Sequence, residues 1–198
     1  MPVLSVHVQT DIRLPIELLS IIINELGSNP EALASCRLAS HVLCSLTTPL
    51  LFSSLKLTVP KVYGSRLLFL ERARKMNQVL SNCNVAASVH TFHLLCEKSL
   101  LKDSTIGPLI LKILYQLPHV RTFRLEGRDP LGMVAFCSFP RDISSAIQAL
   151  CKSPTLITLE LCNIGFLPIT VITTCCNVRS IHLESVRFNV IFFILQLL

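Results

Sequence analysis

Val120-Arg-Thr-Phe123-Arg-Leu125 reads apolar-x-x-apolar-x-apolar, and the pattern recurs in Val89-His-Thr-Phe92-His-Leu94, Leu156-Ile-Thr-Leu159-Glu-Leu161 and Val178-Arg-Ser-Ile181-His-Leu183. Alternation of period two marks a strand with one buried face. A fifth, less regular copy ends in Leu55-Lys-Leu57 within Leu51-Phe52-Ser-Ser-Leu55-Lys-Leu57. Starting points lie 31, 36 and 22 residues apart from Val89 onward, and Phe52 precedes Val89 by 37, so the strands form a degenerate internal repeat. Between copies the period becomes helical. Phe69, Ala73, Met76 and Leu80 share one face, and Ile106, Ile110, Ile113 and Leu117 another. Asp142 is positioned to cap a third helix containing Ile143, Ala146, Ile147 and Leu150.

One strand with one helix exposes two apolar faces, so neighbouring units must stack to bury them. Parallel strands inside and helices outside would give a short α/β solenoid; an ordinary α/β sheet with crossover helices satisfies the same pattern. The copies resemble leucine-rich repeats. Leu156-x-x-Leu159-x-Leu161-Cys162-Asn163 matches that signature loosely, and the other copies lack the Asn.

If Phe123 and Leu125 point inward, Thr122, Arg124 and Glu126 face the open side of the sheet. Stacking the copies gives three rows: Thr91, Thr122, Thr158 and Ser180; His93, Arg124, Glu160 and His182; Leu95, Glu126, Cys162 and Glu184. The middle row, mixed in charge, could read a polar peptide of a client protein. The alternative is a solvated face on which Arg124 and Glu160 pair, contributing only about 0.2–1 kcal/mol.

Upstream of the repeats, Leu14, Leu18, Ile22 and Leu26 recur every fourth position, widened by Leu19 and Ile23. This predicts an amphipathic helix started by Pro15 and stopped at Gly27. Asn29 is expected to cap a second helix beginning at Pro30 and carrying Leu33, Cys36 and Arg37 toward Ser40. A third runs from Val42 to Phe52, with a restart at Thr48-Pro49.

These helices resemble the F-box motif, through Leu14-Pro15-Ile16-Glu17-Leu18-Leu19-x-x-Ile22-Ile23-x-x-Leu26, then Leu33, Cys36-Arg37-Leu38 and Ser40. Leu50-Phe52-Ser-Ser-Leu55-Lys-Leu57 looks like the segment by which fungal-type F-box proteins enter their repeats. The Trp usual after the second helix is absent, Val42 or Leu43 standing near its place. The resemblance implies a tail over residues 1–11, an F-box-like module over 12–57 and a leucine-rich-repeat-like domain over 58–198. It implies a non-enzymatic substrate adaptor of a cullin-RING ubiquitin ligase. Leu14, Pro15, Leu18, Leu19, Ile22, Ile23, Leu26 and Leu33 would dock on a Skp-type adaptor carried by the cullin scaffold, and the open face of the repeats would hold the client. No cofactor is implied.

Composition sets the outer limits. A 198-residue chain that is 51% hydrophobic and 15% charged has the material for a folded core, which excludes global disorder. The net charge of +6 is not gathered into a basic block, so nucleic acid is not indicated, although a repeat scaffold binding acidic or nucleic-acid surfaces is the rival expectation. The N-terminus lacks the basic start, long apolar core and small-residue cleavage site of an export signal, and the location expected is cytoplasmic or nuclear. Nine cysteines, with no Cys-x-x-Cys pair, offer no disulfide framework. The longest apolar tract, Val190-Ile-Phe-Phe-Ile-Leu195, reaches about half the ~20 residues of a membrane span. Residues 190–198, almost wholly apolar, lack the polar outer face of a terminal cap, so an unfinished repeat domain and self-association are expected.

No Gly-x-Gly-x-x-Gly, Gly-x-x-x-x-Gly-Lys or Gly-x-Ser-x-Gly occurs, which removes the backbone requirement of phosphate cradles and nucleophile elbows. His90, His93 and Cys96 are spaced like metal ligands, but residues three apart on a strand point to opposite faces, so no metal is expected. Cys175-Cys176 reads as two small residues leading into a strand.

Overall fold

The computed structural model describes residues 14–58, 65–129 and 132–189. The chain divides into two compact units, one ending at Leu51 and one starting at Phe52.

The described residues of the first unit form three α-helices: α1 (Ile16–Glu25), α2 (Pro30–Ala39) and α3 (His41–Leu51). Asn29 caps α2 by accepting a hydrogen bond from the Ala32 N–H at 3.0 Å, with Pro30 at the first helical position where its missing N–H costs nothing. Pro49 does not restart α3 but lies inside it. The Thr47 and Thr48 hydroxyls donate to the carbonyls of Leu43 (2.7 Å) and Cys44 (2.6 Å), whereas the carbonyl that loses its helical N–H partner to Pro49 is that of Ser45. Only Ile23, Leu33 and Thr47 are fully buried among the described residues of this unit.

The second unit is an α/β layer. Its strands are β1 (Ser54–Leu57), β2 (Thr91–Cys96), β3 (Thr122–Gly127), β4 (Val134–Ala135), β5 (Thr158–Leu167) and β6 (Ser180–Phe188). All pairs between these strands are parallel; β1, β2, β3 and β5 lie side by side, β6 extends the sheet beyond β5, and short β4 pairs with the far half of β5. Parallel strands require crossovers, supplied by α4 (Ser65–Leu80) with α5 (Cys83–Ser88), α6 (Lys98–Leu101) with α7 (Ile106–Tyr115), α8 (Arg141–Cys151) and α9 (Thr170–Thr173). β1 thus pairs with the sheet, so residues 54–57 do not belong to the helical module.

The core lies between one sheet face and the crossover helices. Phe92, Leu94, Phe123, Leu125, Leu159 and Leu161 are completely buried, together with Phe69, Ala73, Ile106, Ile110, Ile113 and Ile147 from the helices. Asp142 does not cap α8: the cap position is Pro140, and Asp142 lies in the first turn, where its charge favours the positive end of the helix. On β6 the pattern weakens. Ile181 and Leu183 occupy the register of those buried pairs but remain 39% and 46% exposed. Residues 190–198, on which the expectations of an unfinished end and self-association rest, lie outside the described residues.

Among the described residues, three that are not glycine adopt positive φ: Asn163 (56°), Phe166 (52°) and Ser185 (51°). Asn163 and Ser185 stand side by side, each just after the in-register pair Cys162 and Glu184, so β5 and β6 kink at the same level. At the corresponding place in β3 sits Gly127. A Cβ there would run into the Asn163 carbonyl oxygen and come within 3.1 Å of the Val134 Cβ, so the close approach of β5 requires glycine.

Candidate functional site

The parallel register brings together the side chains of the open sheet face. Thr91, Thr122, Thr158 and Ser180 form one row, with Ser54 at its β1 end. Lys56, His93, Arg124, Glu160 and His182 form the next, and Leu95, Glu126, Cys162 and Glu184 the third. Lys56 was not in the sequence-derived row, although Leu55-Lys-Leu57 carries the same alternation.

The centre of this face is a hydrogen-bonded charge network. One carboxylate oxygen of Glu126, Oε2, accepts from His93 Nε2 at 3.0 Å and from Arg124 Nε and Nη2 at 3.2 and 3.1 Å. Arg124 Nη1 donates to Glu160 Oε2 at 3.2 Å. Partial burial pulls the Arg124 guanidinium down, but its carboxylate neighbours more than offset this and its pKa ends above the usual value. At the outer edge Ser180 Oγ and His182 Nε2 lie 2.9 Å apart. Arg124, Glu160, Cys162, His182 and Glu184 line a shallow hollow of about 490 Å³. A second, of about 520 Å³, opens above it between Leu95, Glu126, Gly127, Met133, Asn163 and Ser185. Burial raises the Cys162 thiol, which therefore stays protonated beside these carboxylates.

His93 has only 12% of its side chain exposed. Burial lowers its pKa first, and the positive charges of Lys56 and Arg124 add to this against the pull of Glu126. Near neutrality His93 is therefore uncharged and donates its Nε2 proton, because the Glu126 carboxylate can only accept. As pH falls below about 6.5, the unfolded chain takes up this proton before the folded chain does, so folding stability is present above that value and lost toward the lower folded pKa. His93→Gln should lose less stability than the parent chain between pH 7 and pH 5. Urea unfolding at both values measures it, and equal losses would contradict the assignment.

The helical unit sorts its sequence-predicted residues into two sets. Leu14, Pro15, Leu18 and Ile22 are exposed, the three larger ones by 49%, 47% and 48%. Leu19 and Leu26 are half-buried. Ile23 and Leu33 are buried, at 2% and 1% exposure, and have no free surface to offer a docking partner in this structure; they are core. The buried stripe of α1 runs through Leu19, Ile23 and Leu26 at helical spacing. Ile16 and Ile21, exposed by 52% and 58%, belong to the outward face and were missed by the fourfold spacing from Leu14. Because α1 is apolar on nearly every side, periodicity alone does not select which stripe turns inward.

No cluster of three or more metal-ligating side chains exists among the described residues. Cys96 is buried within the core and His93 lies on the open face, as strand geometry requires. No helix among the described residues is long and apolar enough to cross a membrane. Comparison of the chain with protein-family models, curated proteins and solved structures gives no match.

Proposed function

We propose that this protein is a substrate-recognition adaptor of an SCF-type cullin-RING ubiquitin ligase, with α1–α3 as an F-box-like docking module and the open sheet face as the client-binding surface. The observation that carries this reading is the outward face of α1. Leu14, Ile16, Leu18, Ile21 and Ile22 are all near half exposure in a separate unit whose described residues form three α-helices and include only three that are fully buried. A stripe of that size on so small a module is suited to a protein partner. The repeating sheet supports the other half of the reading. Its strands run parallel and in register, with helix in the chain between β1 and β2, between β2 and β3, between β4 and β5 and between β5 and β6, as a short leucine-rich-repeat solenoid would have them. The Arg124–Glu126–Glu160 network presents fixed donors and acceptors to a polar segment of a client. The protein then contributes binding rather than catalysis.

Binding of the purified chain to a Skp-type adaptor in complex with a cullin fragment tests the proposal. Leu18→Ala should weaken it about tenfold, the equivalent of about 1.4 kcal/mol. Circular dichroism should be unchanged, because Leu18 is outside the core. No binding by the parent chain would overturn the docking assignment, and binding indifferent to Leu18→Ala would move the contact away from α1.

A further inference from the structure

Past the kink at Asn163 and Ser185 the open face continues over a stretch of β4, β5 and β6 that the charge network does not reach. Val134, Ile164 and Val186 are register partners packed into the core, so their neighbours Ala135, Gly165 and Arg187 face the open side. A register shift after Ile164 turns Phe166 outward, where it is 57% exposed at a φ of 52°. A solvated aromatic ring and a left-handed backbone beneath a Cβ each cost free energy, and glycine would avoid both. With Gly132, Met133, Ala135, Gly165 and Arg187, Phe166 lines a hollow of about 290 Å³. Gly165 keeps it open, since a Cβ there would stand 3.6 Å from the Met133 Cβ. Arg187 is the one charged group of this lining and makes no hydrogen bond or ion pair with the described residues. Gly132 and Met133 also line the hollow of about 520 Å³ beside Glu126 and Asn163, so the two adjoin.

We propose that this hollow binds the carboxyl-terminal residue of a peptide that ends in an apolar amino acid. A terminal residue carries its carboxylate and its side chain on one Cα, which is the pairing that a single guanidinium beside an apolar wall accommodates. Arg187 takes the carboxylate, and the side chain lies against Met133 and the Phe166 ring. An internal Asp or Glu would bring its charge at the tip of the side chain and leave Met133 and Phe166 with nothing to cover. A polyanion such as nucleic acid would have to run through the adjoining hollow, where Glu126 and Asp129 outnumber Arg128. The residues that precede the terminal one extend over that hollow instead, toward Asn163 and Glu126. That the peptide belongs to a client rests on the adaptor reading; the binding itself does not.

The test uses the folded full-length chain and two dansyl-labelled peptides, Gly-Ser-Gly-Ser-Leu with a free carboxylate and the same peptide amidated, with binding read by fluorescence anisotropy. The acid should bind about tenfold more tightly than the amide. Arg187→Gln should weaken the acid about tenfold and leave the amide unchanged, so that the two become equal, whereas damage to the fold would weaken both. Phe166→Gly should weaken both peptides about tenfold while the melting temperature stays near that of the parent, because glycine takes the left-handed φ without strain. A free-carboxylate peptide ending in a diazirine analogue of leucine should, on irradiation, label the tryptic fragment 129–141, which carries Met133. Equal binding of acid and amide by the parent chain would overturn the proposal, as would no binding of the acid up to about 1 mM. So would an Arg187→Gln variant that still separates the two peptides, or label confined to other fragments. Arg187→Gln should bind the Skp-type adaptor as the parent does, so a failed peptide site and a failed docking module are told apart.

Discussion

Phe123→Ala should destabilise the sheet unit by about 3–5 kcal/mol, the cost of emptying a fully buried aromatic site. Phe123 is 0% exposed and lies parallel to Phe92, with ring centroids 6.2 Å apart and planes 6° from coplanar. Truncation therefore removes both its own burial and one side of the Phe92 packing. Arg124→Ala, one residue along, should cost at most about 1 kcal/mol, since its ion pairs with Glu126 and Glu160 are open to solvent at one side. Chemical denaturation of both variants measures the contrast. Comparable losses would contradict the assignment of the two side chains to opposite faces.

Gly127→Ala is the second large effect, expected to cost about 1–3 kcal/mol although it adds a single methyl group. The new Cβ would meet the Asn163 carbonyl oxygen, a backbone atom that cannot rotate away, and β5 would have to shift from β3. Gly27→Ala, with nothing within 4 Å of its Cβ, should change stability little and serves as the control. Thermal melts of the two variants decide between a packing requirement at Gly127 and a general intolerance of added side chains.

The sheet was legible because its information is local and redundant. A period of two in Val120–Leu125 settles which face each residue occupies, and repeating it through Val89, Leu156 and Val178 settles the lateral register. Glycine and proline chemistry was less dependable. Pro49 is accommodated inside α3, where the Thr47 and Thr48 hydroxyls bond to backbone carbonyls one turn earlier, and no spacing rule announces this. β4 was missed because two residues are too few to show an alternation, and the extension of β5 beyond Cys162 because Asn163 and Phe166 interrupt it with left-handed residues. On α1 the difficulty was excess. With apolar side chains on most sides, Ile23 and Ile22 look equivalent in the sequence, and only packing distinguishes core from surface. The Arg124–Glu126–His93 cluster was legible as a set of rows, but the sharing of one Glu126 oxygen between His93 and Arg124 is a matter of rotamers, which no pattern encodes.

The order of strands also bears on how the sheet comes into being. Along its main path each strand meets the next one in the chain, apart from short β4. Paired residues such as Ser54 and Thr91, Thr91 and Thr122, Thr122 and Thr158, and Thr158 and Ser180 are separated by a few tens of residues rather than by most of the chain. The entropy of closing each connection is therefore limited, and the cost of adding a strand does not grow as the sheet widens. Assembly can proceed by accretion, each strand templating its neighbour, so a chain emerging from the ribosome could complete β1 to β3 before β5 and β6 have been synthesised.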